Sequence, residues 1–274
     1  MDIPTLKGEF ELNKPKILGF IPAYNCENQL PRVLQQLDQP WIKECISNFI
    51  VVENRSTDST LKVAIEESLK NNNFVRVISN NNNYGLGGSH KVAIDFAKKN
   101  GFDWILVFHG DDQGNLNDFQ PIITSGQFDY YDAVLGARFT AKSKRFGYGQ
   151  LRTFGNYVFN GFYSLFLQRL ITDMGSGLNM YRVSAMDKSS KNAPDGLIHP
   201  PYLLISIVLN NFKTKFEAIS WKETDQVSNA KLFSQSIDTF KLGLLAFLLR
   251  RRFLNIDYAN KDLDYSYKLI EQPL

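Results

Sequence analysis

The sequence predicts an α/β fold: a mixed, mostly parallel sheet covered by helices on both faces, followed by a C-terminal helical segment. Two observations predict it. Short apolar runs alternate with segments of helical spacing through the first half of the chain, the pattern of strands joined by crossover helices. In addition, the apolar run Trp104–Phe108 stops abruptly in His109-Gly110-Asp111-Asp112-Gln113. A buried strand reads this way where it reaches the carboxyl edge of an open sheet, the edge that binds ligands.

Each element has a local reason. Lys16–Ile21 is a first strand, closed by Pro22, and Glu27–Leu37 follows with Leu30, Val33, Leu34 and Leu37 at helical spacing. Phe49–Val52 is a second strand. Ser56-Thr57-Asp58-Ser59-Thr60 supplies capping side chains to a helix carrying Leu61, Ala64, Ile65 and Leu69. Phe74–Ile78 is a third strand; Val92, Ala93, Phe96 and Ala97 mark the next helix, ended by Asn100-Gly101. Trp104–Phe108 and Ala133–Leu135 are the fourth and fifth strands. In the second half, Thr153–Ile171 is a long helix, Pro200-Pro201 opens another through Leu209, Phe216–Trp221 is one more strand, and Phe240–Phe253 is apolar up to Arg250-Arg251-Arg252. There are no internal repeats.

Composition narrows the class. The 274 residues are 43% hydrophobic, with 31 Lys+Arg against 28 Asp+Glu. That suits a globular chain with a sizeable core, and the slight positive excess gives no footprint for nucleic acid. Two cysteines, Cys26 and Cys45, form no disulfide framework or metal spacing and point to a reducing, cytoplasmic setting. Met1-Asp-Ile-Pro-Thr lacks the signal-peptide pattern. No apolar run approaches the roughly 20 residues that span a bilayer.

Four loops should gather at the carboxyl edge of the sheet: Pro22-Ala23-Tyr24-Asn25-Cys26-Glu27, Glu53-Asn54-Arg55-Ser56-Thr57-Asp58, Asn83-Tyr84-Gly85-Leu86-Gly87-Gly88, and His109–Gln113. Together they offer acceptors for a base and ribose, glycines for close approach, and oxygen and imidazole donors for a divalent cation on a phosphate. This combination suggests a nucleotide-diphosphate site. A dinucleotide fingerprint fits less well, because His90 stands at the sixth position of the Gly85-Leu86-Gly87 run.

On these residues the chain resembles the family 2 glycosyltransferases of GT-A fold, near the dolichyl- and polyprenyl-phosphate sugar transferases. The resemblance covers about residues 16–225 and rests on seven pieces in the family's order. Pro22-Ala23-Tyr24-Asn25 with Glu27 matches the opening motif. Val51–Asp58 stands where the family has two valine-like residues before Asp-Asp-Gly-Ser-Thr-Asp, and Gly85-Leu86-Gly87 matches the glycine loop. His109-Gly110-Asp111-Asp112-Gln113 stands at the Asp-x-Asp signature, in the His-Gly-Asp form of a bacterial subgroup. Gly136-Ala137-Arg138-Phe139, Arg152 with Gly155-Asn156, and Asp173 with Ser176-Gly177 match the later pattern. The departures are Glu53-Asn54 for the usual Asp pair, Arg55 for a glycine (so that the loop must avoid positive φ there), and Asn179 where many relatives have Arg.

The resemblance implies an inverting transfer of sugar from a nucleotide-diphosphate-sugar donor to a glycan or lipid-linked acceptor, a polyprenyl phosphate being one such acceptor. It implies Mg²⁺ or Mn²⁺ held by Asp111 and His109. The donor would be bound by Pro22, Ala23, Tyr24, Asn25, Glu27, Glu53, Asn54, Ser56, Asp58, Gly85, Leu86, Gly87, Gly110, Asp112, Gln113 and Arg138. Asp58 serves equally as a helix cap, and Tyr24 either stacks near the base or fills the core. A hydroxyl acceptor must lose a proton, and Asp173 is the first candidate base, with Asp195 and His199 as rivals ahead of the helix near which relatives place it. A catalytically silent nucleotide- or glycan-binding module is the reading from another class. The expected organisation is a GT-A domain over 1–225, with a nucleotide-binding half at 16–115 and an acceptor half at 116–225. A helical extension at 226–274 would follow, packed on the domain or meeting the inner face of a membrane through 240–253.

Overall fold

The computed structural model describes residues 14–71, 73–223 and 232–270. In chain order the strands are β1 (Ile17–Ala23), β2 (Asn48–Glu53), β3 (Val75–Asn80), β4 (Trp104–Phe108), β5 (Ala133–Ala137), β6 (Lys144–Phe146), β7 (Leu178–Arg182), β8 (Thr214–Ala218), β9 (Ser220–Lys222) and β10 (Tyr267–Ile270). The helices are α1 (Leu30–Gln35), α2 (Pro40–Cys45), α3 (Thr60–Leu69), α4 (Gly85–Lys99), α5 (Gln120–Thr124), α6 (Gln150–Leu167), α7 (Val183–Ser190), α8 (His199–Leu209) and α9 (Leu232–Leu249). Eight strands form one sheet in the order β10-β3-β2-β1-β4-β7-β5-β8, and β6 pairs with β9 in a small parallel ribbon. β1, β2, β3 and β4 run parallel. β7 is antiparallel to both β4 and β5, and β10 is antiparallel to β3.

The central strands are apolar on both faces because both faces are covered. Leu18, Phe20, Ile50, Val52, Ile105 and Val107 face a core shared with α4, α7, α8 and Phe253. The alternate residues Ile17, Ile21, Phe49, Val51, Trp104, Leu106 and Phe108 face α1, α2 and α5. Among the described residues no helix is long and apolar enough to cross a membrane.

Several elements differ from expectation for identifiable reasons. β1 continues through Pro22, which lies opposite Val52; proline needs no ladder N–H there, and its carbonyl accepts from Gly110 N at 3.2 Å. The first helix starts at Leu30 rather than Glu27, with a proline in its first turn. The glycine run expected as a loop is the first turn of α4. The expected strand Phe216–Trp221 is divided between the main sheet and the ribbon. β7 escaped sequence reading because Asn179 and Arg182 interrupt its apolar pattern; Leu178 and Met180 nonetheless enter one core and Tyr181 the other. The expected helical extension holds α9 but also β10, which extends the sheet at β3; its residues 226–231 and 271–274 lie outside the described residues.

Gly136 shows how closely β5 meets β7. A Cβ there would stand 2.3 Å from the Leu178 carbonyl oxygen and 2.7 Å from Ser176 Oγ. Gly136→Ala is expected to destabilise the protein by about 1–3 kcal/mol in denaturant unfolding. Gly155→Ala, within α6 where a Cβ meets nothing within 4 Å, should not destabilise the protein.

Candidate functional site

The carboxyl ends of β1, β2 and β4 open into loops whose backbone N–H groups have no strand partner, and side chains from neighbouring loops satisfy them. Asn25 Oδ1 accepts from Thr57 N at 2.8 Å, while Asn25 N donates to Ser56 Oγ at 3.1 Å. Glu27 Oε2 accepts from Ser59 N at 2.8 Å, and Glu27 N donates to Asp58 Oδ2 at 3.2 Å. Asp58 Oδ1 holds both Thr60 N and Thr60 Oγ1, at the start of α3. Burial would raise the Asp58 carboxyl, but the hydrogen bonds from Thr60 and Glu27 outweigh it and hold the group below its ordinary value.

Side-chain amides, buried at Asn54 and Asn80 and exposed at Asn83, continue this stitching to α4. Asn54 Oδ1 accepts from Asn80 Nδ2 at 2.8 Å and Tyr84 N at 2.9 Å, and Asn54 Nδ2 donates to Asn83 Oδ1 at 2.9 Å. Asn83 Oδ1 also accepts from Gly85 N. The N-terminal end of α4, the positive end of its dipole, therefore points at the same opening.

The opening is a cleft of about 760 Å³. Twelve of the expected donor and metal residues line it: Pro22, Ala23, Tyr24, Asn25, Glu27, Asn54, Asp58, Gly85, Leu86, His109, Gly110 and Asp111. Asn83, Ser89, Gly196 and Leu197 line it as well. Asn83 and Ser89 flank the glycine run and could have been added to it; nothing local in Gly196-Leu197 marks them. Among the described residues the lining holds three carboxylates, Glu27, Asp58 and Asp111, and neither lysine nor arginine. Burial, and secondarily the charge of Arg138, bring His109 down to about 4, so its imidazole is neutral at neutral pH. Its Nδ1 lies 3.9 Å from Asp111 Oδ2. Burial pushes the Cys26 thiol up to about 12, which leaves it protonated and poorly nucleophilic.

Other expected site residues lie elsewhere. Glu53 is buried; its Oε1 accepts from Ser56 N and its Oε2 from Ser79 Oγ at 3.2 Å, so it clamps its own turn rather than facing a base. That clamp holds Arg55 at φ 61°, the positive φ the loop was expected to avoid. Ser56 sits behind the loop as acceptor for Asn25 N. Gly87 is a packing glycine: a Cβ there would stand 2.3 Å from Pro194 O and 2.7 Å from the His199 ring. Asp112 and Gln113 line a separate groove of about 370 Å³ beside Trp221, and Asp112 accepts from Arg32 Nε at 2.6 Å.

The three candidate bases are likewise committed. Asp173 is 3% exposed, and both its oxygens are occupied. Oδ2 accepts from Arg138 N and Nε at 2.8 and 2.7 Å, and Oδ1 from Arg138 Nη2 and Gly175 N at 2.8 and 3.1 Å. Arg138 in turn stacks over Trp221 and Phe139. The pair holds β5 to the loop before β7, and neither member lines the cleft. Asp195 binds Lys91 Nζ at 2.6 Å, Tyr265 Oη at 2.8 Å and Asn260 N at 2.9 Å. His199 is fully buried, with Nδ1 3.1 Å from Pro194 O and its ring 4.7 Å from that of His90.

The geometry makes Asp173→Asn a stability variant. It leaves the Arg138 guanidinium buried without its counter-charge and should cost about 3–5 kcal/mol in denaturant unfolding; a variant as stable as wild type would contradict the ion-pair role. Burial also lowers His90 to about 3 and His199 well below its ordinary value. Both stay neutral in the folded protein while the unfolded chain protonates near 6.5. Their contribution is thus complete above pH 6.5 and is lost as pH falls towards 4, at about 1.4 kcal/mol per pH unit for each. Denaturant unfolding at a series of pH values should show that decline, and a flat profile from pH 7 to 5 would contradict it.

Comparison with known proteins places this geometry. The sequence model of Glycosyl transferase family 2 matches residues 20–189, well over half of the chain. The Uncharacterized protein MJ1222 of Methanocaldococcus jannaschii is 29% identical over 178 residues, 65% of this chain and 69% of that protein. Among solved structures, S. aureus TarS 1–349 superposes with a TM-score of 0.54 at 19% identity, covering 85% of this chain and 65% of that one; it has also been crystallised with UDP-GlcNAc. Glucosyl-3-phosphoglycerate synthase from Mycobacterium tuberculosis, in complex with Mn²⁺ and UDP-glucose, superposes with a TM-score of 0.57 at 14% identity, covering 88% of this chain and 80% of that one. These likenesses support the GT-A fold, and on the family match this chain belongs to glycosyl transferase family 2.

Proposed function

We propose that the chain is a metal-dependent glycosyltransferase. It would move a sugar, with inversion, from a uridine-diphosphate sugar to a glycan or lipid-linked acceptor, in surface-polysaccharide or glycoconjugate synthesis at the cytoplasmic face of a membrane. One observation carries the metal dependence: the cleft presents three carboxylates and a neutral histidine, with no lysine or arginine among its lining residues. A diphosphate meets net repulsion there unless a divalent cation enters with it. Asp111 and His109 supply an oxygen and an imidazole donor suited to Mn²⁺ or Mg²⁺. Two protein ligands suffice where substrate phosphates and water complete the shell, and the described residues offer no cluster of three. The cation would offset charge on the departing diphosphate. Uridine as the base is supported by the UDP-sugar complexes of TarS and glucosyl-3-phosphoglycerate synthase.

The chain's own groups have separate tasks. Tyr24, 43% exposed at the cleft, offers a ring face to the base. Asn54 and Asn83 fix the floor, and the N-terminal end of α4 attracts the diphosphate. Transfer to a polyprenyl phosphate gains support from the commitments of Asp173, Asp195 and His199. A phosphate acceptor arrives already ionised and needs no general base.

A thermal-shift panel of nucleotide sugars with and without Mn²⁺ tests the reading, paired with turnover of the donor that binds. A UDP-sugar should stabilise the protein only with the metal present. Asp111→Asn, which keeps an acceptor for Gln113 N, should lower turnover by about 100-fold or more. Binding without turnover on any acceptor would favour a silent nucleotide-binding module, and neither binding nor turnover would end the enzyme reading.

A further inference from the structure

α6 is an 18-residue helix with one charged residue, Arg152, and no carboxylate. Its inner face packs Asn160, Tyr163, Phe166 and Leu167. Its outer face is apolar as well. Leu151, Phe154, Val158, Phe162 and Leu165 recur at helical spacing along one stripe and are all exposed, Leu151 at 85% and both Phe154 and Leu165 at 65%. An apolar stripe at helical spacing ordinarily faces the core, yet this one faces solvent. α9 packs alongside: Tyr163 Oη donates to Thr239 O at 2.7 Å, the Phe162 ring meets Phe240, and the Phe166 ring meets Phe247. α9 carries its own exposed stripe of Ile237, Leu244 and Leu248. Phe162 and Phe247, both partly exposed, lie at the seam between the helices, so the two stripes adjoin. Contiguous apolar surface of this kind marks an interaction face.

Charge identifies the partner. From Ala133 to Thr172 the sequence has six cations and no carboxylate; Arg138 is buried against Asp173 and Arg152 is paired with Glu223, which leaves Lys142, Lys144 and Arg169 as exposed cations of this segment. α9 carries one exposed carboxylate, Asp238, and one cation, Lys241, and leads into Arg250-Arg251-Arg252, of which Arg251 and Arg252 are exposed, so the positive excess of α9 lies at its C-terminal end. A second copy of this chain would bring like charges together across a self-complementary interface, at an energetic cost. We infer that the α6–α9 face lies on an anionic lipid bilayer, with the two apolar stripes in the interfacial region and the cations at the headgroups. This extends the contact expected through residues 240–253 to α6, which becomes its larger part. It deepens the lipid-linked reading of the acceptor but is read out independently of it.

Co-sedimentation of the full chain with vesicles tests the inference. Wild type should sediment with phosphatidylcholine–phosphatidylglycerol vesicles and weakly or not at all with phosphatidylcholine alone. Phe154→Ser with Leu165→Ser should lower the binding by about tenfold or more, and Arg251→Glu with Arg252→Glu by about tenfold. Because all four side chains are exposed, thermal unfolding and metal-dependent UDP binding should be unchanged in both double variants. Equal binding of wild type and variants overturns the inference, as does no binding to anionic vesicles. A wild-type dimer in sedimentation velocity that becomes monomeric in Phe154→Ser with Leu165→Ser would assign the face to a second copy instead. Retained UDP binding in a chain that ignores vesicles would remove the membrane face while leaving the proposed transferase intact.

Discussion

The structure depends on how the carboxyl ends of the parallel strands are closed. β1, β2 and β4 end side by side, and the loops beyond them cannot satisfy their own backbone. Side-chain oxygens do so instead: Asn25, Glu27 and Asp58 stitch the first loop to the second, and Asn54 and Asn83 tie the second to the start of α4. The same choice sets the electrostatics. Carboxylates that are good acceptors for N–H groups leave the cleft acidic, and among the described residues no lysine or arginine lines it. The loops are therefore well held but unable, by themselves, to welcome a diphosphate. The proposed cation follows from the way the loops are built.

The half of the sheet beyond β4 follows another constraint. Arg138 and Asp173 sit at the join between β5 and the antiparallel β7, and each is nearly removed from water. Two such charges are tolerable only when fully paired, and the bidentate geometry with added backbone donors meets that condition. The consequence is chemical as well as structural, since both Asp173 oxygens are turned to Arg138 and Gly175 and the residue does not line the cleft. The three histidines form a chain of ring contacts that runs from His109 at the cleft wall through His90 to His199 behind it, and burial holds them neutral.

Much of this was legible in the sequence. Strands buried on both faces write themselves as apolar runs, and the polar clusters that follow them mark the cleft, so β1 to β5 and the loops at Pro22, Glu53, Gly85 and His109 could be read locally. What could not be read was direction and partnership. Nothing in His109-Gly110-Asp111-Asp112-Gln113 says that Asp111 turns into the cleft while Asp112, at φ 57°, turns away to Arg32. Nothing in Thr172-Asp173-Met174 reveals a buried arginine thirty-five residues earlier. β7 and β10 are short, and they become strands because the sheet offers them partners, β4 and β5 on either side of β7 and the free edge of β3 for β10. Conversely, the apolar spacing of α6 predicts a helix but not that one of its apolar stripes faces solvent.

The central claim is that this cleft takes a nucleotide diphosphate through a divalent cation rather than through basic side chains. A crystal structure of the protein with UDP and Mn²⁺ tests it most directly. The account predicts the uracil beside Tyr24 between the β1 loop and α4, and the diphosphate at the end of β4 with Mn²⁺ bound to Asp111. Nucleotide in the groove beside Trp221, or a diphosphate held in the cleft with no metal between it and Asp111, would contradict it.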